Sequence, residues 1–307
     1  DRLNKKFPEA HFKSAYEAGF CGFSVHYALT GLGFENVVVH AADIPTTGKE
    51  KALKTDAVDS EKIAWSLKRD ELKGIYIKDK RYMDDTNLIR LRQRFIIDLS
   101  RQKNRTKHLL YTQGVTYPER FRKNGTHWSR NFMKWLRDEV VLLSDEKRTL
   151  MLLCDQVEHI RKDILAVTRE IRRLSTTDKY KENYSLLTTV PGFGIVTSMS
   201  MLTEFDNNLM RFPNERKFVA ILGLIPTCHN SGEKKVSGEK IHRGNKQLGP
   251  LIIEASWIAI QRDYKLGCYY TNCCQSMKPQ KAIIKVARKL ACKAYAVMKT
   301  KKPYVLS

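Results

Sequence analysis

The sequence is short of acids. It has 33 Asp and Glu against 55 Lys and Arg, a formal net charge of +22 over 307 residues. The excess runs along the whole chain and is not gathered in a tail. A polyanionic partner is the simplest reading, with nucleic acid the foremost candidate and a merely soluble basic protein the alternative. No apolar run approaches the roughly 18 to 20 residues of a membrane helix, so no spanning segment is expected. No signal-peptide pattern opens the chain. The seven cysteines form no Cys-x-x-Cys pair and are odd in number, which argues against a zinc site and a disulfide framework. Reduced thiols in a cytosol are the expectation. At 307 residues and 42% hydrophobic, the chain can build more than one core.

Residues 11 to 78 alternate strand and helix signals. "FKSAYEA" reads as a short strand ending near Glu17, "GFSVHYALTGLG" as a helix closed by Gly31 and Gly33, and "NVVVH" as a buried strand. "TTGKEKALKT" is a polar loop, "DAVDSEKIAWSLKRD" a helix and "LKGIYIK" another strand. That alternation predicts a mostly parallel sheet covered by helices.

From about residue 80 the period becomes helical, with Leu88, Leu91, Phe95 and Leu99 on one stripe among many Arg and Lys. Residues 114–129 read as a loop. Leu150, Leu153, Val157, Ile160, Ile164, Val167, Ile171 and Leu174 then step by three and four, the pattern of a coiled-coil seam. An antiparallel hairpin arm and a dimerisation device both fit. Residues 184–304 read as short helices with a basic loop between them. Near the end, Ala282, Val286, Leu290, Ala294 and Val297 face one way, and Lys281, Lys285, Lys289 and Lys293 another. That basic face fits a solvated surface or a phosphate contact equally.

Three groups of residues could carry chemistry. Asp56 and Asp59, three apart, project from one face of a helix's first turn. Thr55 can cap that helix and acids there favour its dipole, so a structural role suffices for them alone. A metal role needs another oxygen, and Glu17, at the end of a predicted strand, is the candidate. The second group is Pro191-Gly192-Phe193-Gly194 between two apolar helical segments, where backbone N–H groups could meet a phosphate. It resembles the hairpin of the helix-hairpin-helix class, although an ordinary Pro-Gly turn also fits. The third is "GLIPTCHNSGEKKVSGEKIHRGNKQLG", which gathers Ser231, Ser237, Lys234, Lys235, Lys240, His242, Arg243, Asn245 and Lys246. A serine near cations could attack a phosphodiester. On composition alone, a flexible basic loop fits better.

Taken in order, these motifs resemble a known family. "YEAG", "ADIPTTGKEKALKTDAVDSEKIA", the seam, "PGFG", "GLIPTCHNSG", "HRGN" and "KAIIKVARKL" occur as they do in the insertion-sequence one-ten family of DEDD transposases. The resemblance runs over nearly the whole chain. It implies an α/β plus all-α architecture. Residues 1–79 would be a partial ribonuclease-H-like domain of the resolvase type, 80–180 a coiled-coil arm, and 181–307 a helical domain with a serine nucleophile. It implies catalytic roles for Glu17, Asp56, Asp59 and Ser231, with Ser237 the lesser assignment. The three acids would bind Mg²⁺. Gly192, Gly194, Lys234, Lys235, Lys240, His242, Arg243, Asn245 and Lys246 would meet nucleic acid. The implied partners are target and donor DNA, a structured guide RNA and further copies of the chain in a dimer or tetramer, in a bacterial cytoplasm and with no membrane.

Two departures stand out. The family's first aspartate lies well before its glutamate, yet only sixteen residues precede Glu17. The expectation is an N-terminally truncated chain carrying three of four acids. An arginine usual after "GN..L" is replaced by Gly249, leaving Lys246 or Arg243 for its role. Two other readings stay open: a catalytically dead nucleic-acid-binding remnant, and a resolvase-like nuclease that cuts junctions with metal-activated water alone.

Overall fold

The computed structural model describes residues 2–45, 55–231, 234–240 and 244–306, with backbone alone for the strands within 226–240. The polar loop expected at 46–54, Gly232, His242 and Arg243 lie outside the described residues. The chain divides into two compact units, Asp1–Lys78 and Asp79–Ser307.

The first unit runs α1 (Arg2–Lys6), β1 (Lys13–Glu17), α2 (Ser24–Gly31), β2 (Glu35–Val39) and α3 (Asp56–Lys68). β1 and β2 pair in parallel, from Lys13 opposite Glu35 to Glu17 opposite Val39. α2 packs on β2 and α3 on β1, as a parallel pair linked by a crossover helix requires. Val38 and Val39 are buried, and so is Asn36. The Asn36 amide donates to Ser14 Oγ at 2.8 Å and its Oδ1 meets His26 Nδ1 at 2.8 Å, which satisfies a buried polar group and ties α2 to both strands.

The third strand expected at "LKGIYIK" does not form. Gly74 makes a single antiparallel bridge to Val39, and Ile75 N–H donates to Val38 O at 2.8 Å. Glycine weakens a strand interior, and Tyr76 next to the bridge is half exposed, with little to bury. Among the described residues the sheet has two parallel strands and this one bridge.

The second unit is almost wholly helical. α4 (Lys80–Thr112), α5 (Arg130–Asp138) and α6 (Ser144–Ser175) come first, and the span from 114 to 129 is a loop with two short 3₁₀ turns. With 33 and 32 residues, α4 and α6 are each about 50 Å long. They run antiparallel, since Arg92 Nε donates to Thr168 Oγ1 at 2.9 Å while Lys103 lies beside Arg161. Every residue of the expected α6 seam is buried or half-buried, with Leu150, Val157 and Ile171 fully so.

The pair is apolar at both ends. Its far end holds a core of Leu110, Phe121, Phe132, Met133, Trp135, Leu136, Val140 and Leu150. There Phe132 meets Phe121, Trp128 and Trp135 with ring centres 5.2 to 5.4 Å apart. Burial pushes the Cys154 thiol up to about 11 in the same core, which suits an inert packing role. Its near end, through Ile89 and Ile171, joins the main core.

That main core is built by α7 (Lys181–Thr188), α8 (Ile195–Glu204), α9 (Glu215–Ile221), α10 (Leu248–Arg262), α11 (Tyr264–Cys274) and α12 (Pro279–Thr300). Pro279 opens α12 at the first turn, where its missing N–H costs nothing. Ala282, Val286, Leu290, Ala294 and Val297 are all buried, while Lys281, Lys285 and Lys289 stay exposed. The basic loop expected between α9 and α10 contains an antiparallel hairpin, β3 (Pro226–Ser231) and β4 (Lys234–Lys240). Its "PTCHNS" and "KKVSGEK" segments read as polar loop because neither sequence alternates apolar and polar residues, the usual sequence signal of a strand.

Candidate active site

Thr55 has an extended backbone just before α3, and its Oγ1 accepts from Val58 N–H at 3.4 Å. This cap fixes the first turn, so Asp56 and Asp59 issue from one rigid mount. Across from it, β1 ends at Glu17. Glu17, Asp56 and Asp59 line one open groove of about 560 Å³, together with Lys13, Ser14, Tyr16, Ser60 and Ile63. Lys13 pairs across the strands with Glu35 at 3.3 Å. Burial raises the Tyr16 phenol above its usual value, and its Oη donates to Gly22 O at 2.9 Å.

The oxygen donors of the groove suit a hard divalent cation in kind. The three carboxylates share the groove without converging: among the described residues, no group of three or more His, Cys, Asp or Glu is placed to hold a metal ion.

In the second unit, Ser231 is the last residue of β3, in register with Lys234 where the hairpin turns back. Ser237 stands opposite Cys228 further down the ladder, and Lys235 opposite Asn230. The root of the hairpin is firmly built. A side chain at Gly244 would place its Cβ 2.4 Å from Gly223 Cα, so only glycine lets these two backbones touch. Asn245 N–H donates to Ile221 O at 2.6 Å, and its Oδ1 accepts from Gln247 and Leu248 N–H, each at 2.9 Å, at the start of α10. Asn245 Nδ2 donates to Glu204 Oε2 at 3.4 Å. The "GN" of the "HRGN" motif thus closes the loop that carries Ser231, a structural task beside the phosphate contact expected of Asn245.

The Pro191–Gly194 turn joins α7 to α8. Gly192 has φ +82, and a Cβ there would lie 2.1 Å from Ala255 O, so its role is close packing on α10. Gly194 precedes the first turn of α8 and faces open space.

Two family models match this chain. One, described as the transposase of the IS116/IS110/IS902 family, matches residues 184–271. The other, the DEDD transposase domain of the IS110 type, matches residues 6–113. The chain belongs to this family. The first match contains the turn, the hairpin and Asn245, and the second contains Glu17, Asp56 and Asp59. A Sinorhizobium fredii protein named as a transposase, y4rJ, is 27% identical over 259 residues, covering 79% of this chain and 64% of its own length. A second from that organism, y4qE, is 23% identical over 264 residues, covering 83% and 60%. The transposase of insertion sequence element IS1111A from Coxiella burnetii is 24% identical over 238 residues, covering 77% and 63%. The chain therefore spans about three fifths of the length of the curated relatives it matches.

Sequence reading missed one charged node of this IS110-type chain. Arg90 of α4 grips the buried Glu204 at the end of α8, which also takes Asn245. A signal was present, because Glu204 is the single charge closing the apolar run "IVTSMSMLTE". Charges in such runs are retained where they are paired. Among the described residues, no helix is long and apolar enough to cross a membrane.

Proposed function

We propose that this chain is the DNA-recombining enzyme of an insertion sequence. Its first unit would be a ribonuclease-H-like metal site, and its second would carry Ser231 as nucleophile. The observation that carries the reading is the shared groove of Glu17, Asp56 and Asp59 within a family match to DEDD transposases. Relatives named as transposases support it further.

In this reading the Ser231 hydroxyl gives up its proton and bonds to a DNA phosphorus. A deoxyribose oxygen leaves and takes a proton. Attack by the hydroxyl of another DNA end reverses the exchange and frees the serine, so the phosphodiester count is unchanged. Lys234, Lys235, Lys240, His242, Arg243 and Lys246 would neutralise the phosphate through that exchange. Asp56 and Asp59, with Glu17 across the groove, would hold Mg²⁺. That ion binds through one or two carboxylates and substrate phosphate, and it would supply charge stabilisation.

The turn at 191–194 would present α8's N-terminal N–H groups to backbone phosphate. The paired helices α4 and α6 would be a coiled-coil arm joining copies in a dimer or tetramer. A structured RNA of the element would guide the choice of target and donor DNA. The net charge of +22 supports polyanion binding in general.

The test is adduct mapping. Protein is incubated with the element's RNA and junction DNA, denatured and digested, and the DNA-linked peptide is sequenced by mass spectrometry. The reading expects the link on Ser231, absent in Ser231→Ala and present in Ser237→Ala. A link on Ser237, or none under conditions where DNA is cut, rejects it.

A further inference from the structure

The α4–α6 pair carries cations that its own structure does not explain. Arg92, Lys103 and Lys107 lie on one side of α4, because eleven residues make just over three whole turns and four more make just over one. All three are half-buried against the helix pair. Arg92 Nε meets a hydroxyl, Thr168 Oγ1 at 2.9 Å. Lys103 Nζ sits 5.7 Å from the centre of the Trp128 ring, and its charged neighbours are Arg161 and Lys107. None of the three takes part in an ion pair among the described residues, although pairs such as Arg101–Asp98 and Arg137–Asp155 form nearby.

Like charges gathered in a partly desolvated place cost free energy unless an anion joins them. Desolvation and the two flanking cations accordingly pull the Lys103 ammonium below its usual value, and burial does the same to Arg92. The cluster is also held in place. Trp128 has φ +67, a conformation rare for a bulky residue, and its carbonyl accepts from Arg161 Nη2. Strain of this sort collects at functional sites. A solvated surface would instead leave these long side chains exposed and interleaved with acids.

We propose that this side of the arm is a second nucleic-acid contact, separate from the site of the proposed reaction, in which Arg92, Lys103, Lys107 and Arg161 follow a phosphodiester backbone. From Arg92 to Lys107 the row extends about 22 Å, long enough to meet several consecutive phosphates. Arg92, Lys103 and Lys107 fall within the match over residues 6–113, whereas Trp128 and Arg161 lie between the two family matches.

The experiment is a salt titration of affinity, using the whole chain with a short DNA duplex and an RNA hairpin of equal length. Lys103→Gln and Lys107→Gln should each lower affinity at low salt for at least one probe. Each should reduce the slope of log K against log salt by about 0.9 for the duplex, or about 0.7 if the contacted strand is single. Lys103→Arg should keep the slope. The probe whose slope changes identifies the partner strand. In the free protein, Lys103→Gln should leave the urea midpoint unchanged or raise it, since it removes repulsion. Slopes unchanged for both probes in Lys103→Gln and Lys107→Gln overturn the proposal. So does a fall in midpoint with no change in slope, which would make Lys103 a structural residue.

Discussion

Arg90 clasps Glu204 with two parallel bonds, Nε to Oε1 at 2.8 Å and Nη2 to Oε2 at 3.1 Å. The Glu204 side chain is 8% exposed and that of Arg90 42%. This pair joins the base of the long arm to the end of α8, and Asn245 extends it to the root of the β3–β4 hairpin. Arg90→Ala deprives a buried acid of its bidentate partner. Breaking a fully buried pair costs about 3–5 kcal/mol, and the exposure of Arg90 reduces the expected loss to about 2 kcal/mol. Urea denaturation reads it directly. Glu204→Gln, which keeps the shape and one acceptor, should cost less than Arg90→Ala.

The two glycines of the 191–194 turn should separate cleanly. Gly192→Ala meets the Ala255 carbonyl and an unfavourable φ together, and should cost at least about 2 kcal/mol. Gly194→Ala enters open space at φ −87 and should change stability by less than about 1 kcal/mol. Thermal melts of the two variants make the comparison. Equal losses would mean that the turn does not pack on α10 as described.

Asp79 supplies the pH dependence at the start of α4. Its carboxylate takes hydrogen bonds from the Arg81 guanidinium and from Arg81 N–H, which hold it down at about 2. A carboxylate depressed on folding stabilises the fold above its unfolded value of about 3.9 and loses that contribution as pH falls toward about 2. Asp79→Asn keeps a good N-cap and removes the charge. The melting-temperature gap between wild type and Asp79→Asn should therefore be flat above about pH 4 and narrow steadily below it.

Local features of this chain were legible in its sequence. Thr55, Asp56 and Asp59 announced a capped helix start, and the three-and-four spacing from Leu150 to Leu174 announced one side of the arm. Both depend on neighbours within a turn or two. Gly192 was visible as a turn residue, but its contact is with Ala255, far along the chain, and no local pattern encodes it. The strand expected at "LKGIYIK" failed because strand pairing depends on a neighbour's backbone as well as on its own alternation. The hairpin bearing Ser231 was missed for the converse reason: pairing set by two backbones leaves no apolar stripe. At the acidic groove, the spacing of Asp56 and Asp59 gave half the answer. Glu17 joined them because β1 ends against the α3 it packs on.

The most direct test of the whole account is strand cleavage of the element's junction DNA by Ser231→Ala and Asp59→Asn side by side, each with RNA and Mg²⁺ present. Both variants should leave the DNA uncut while folding and binding it as wild type does. Cleavage that persists in Ser231→Ala but is lost in Asp59→Asn would contradict it, and would show that metal-activated water, not serine, opens the strand.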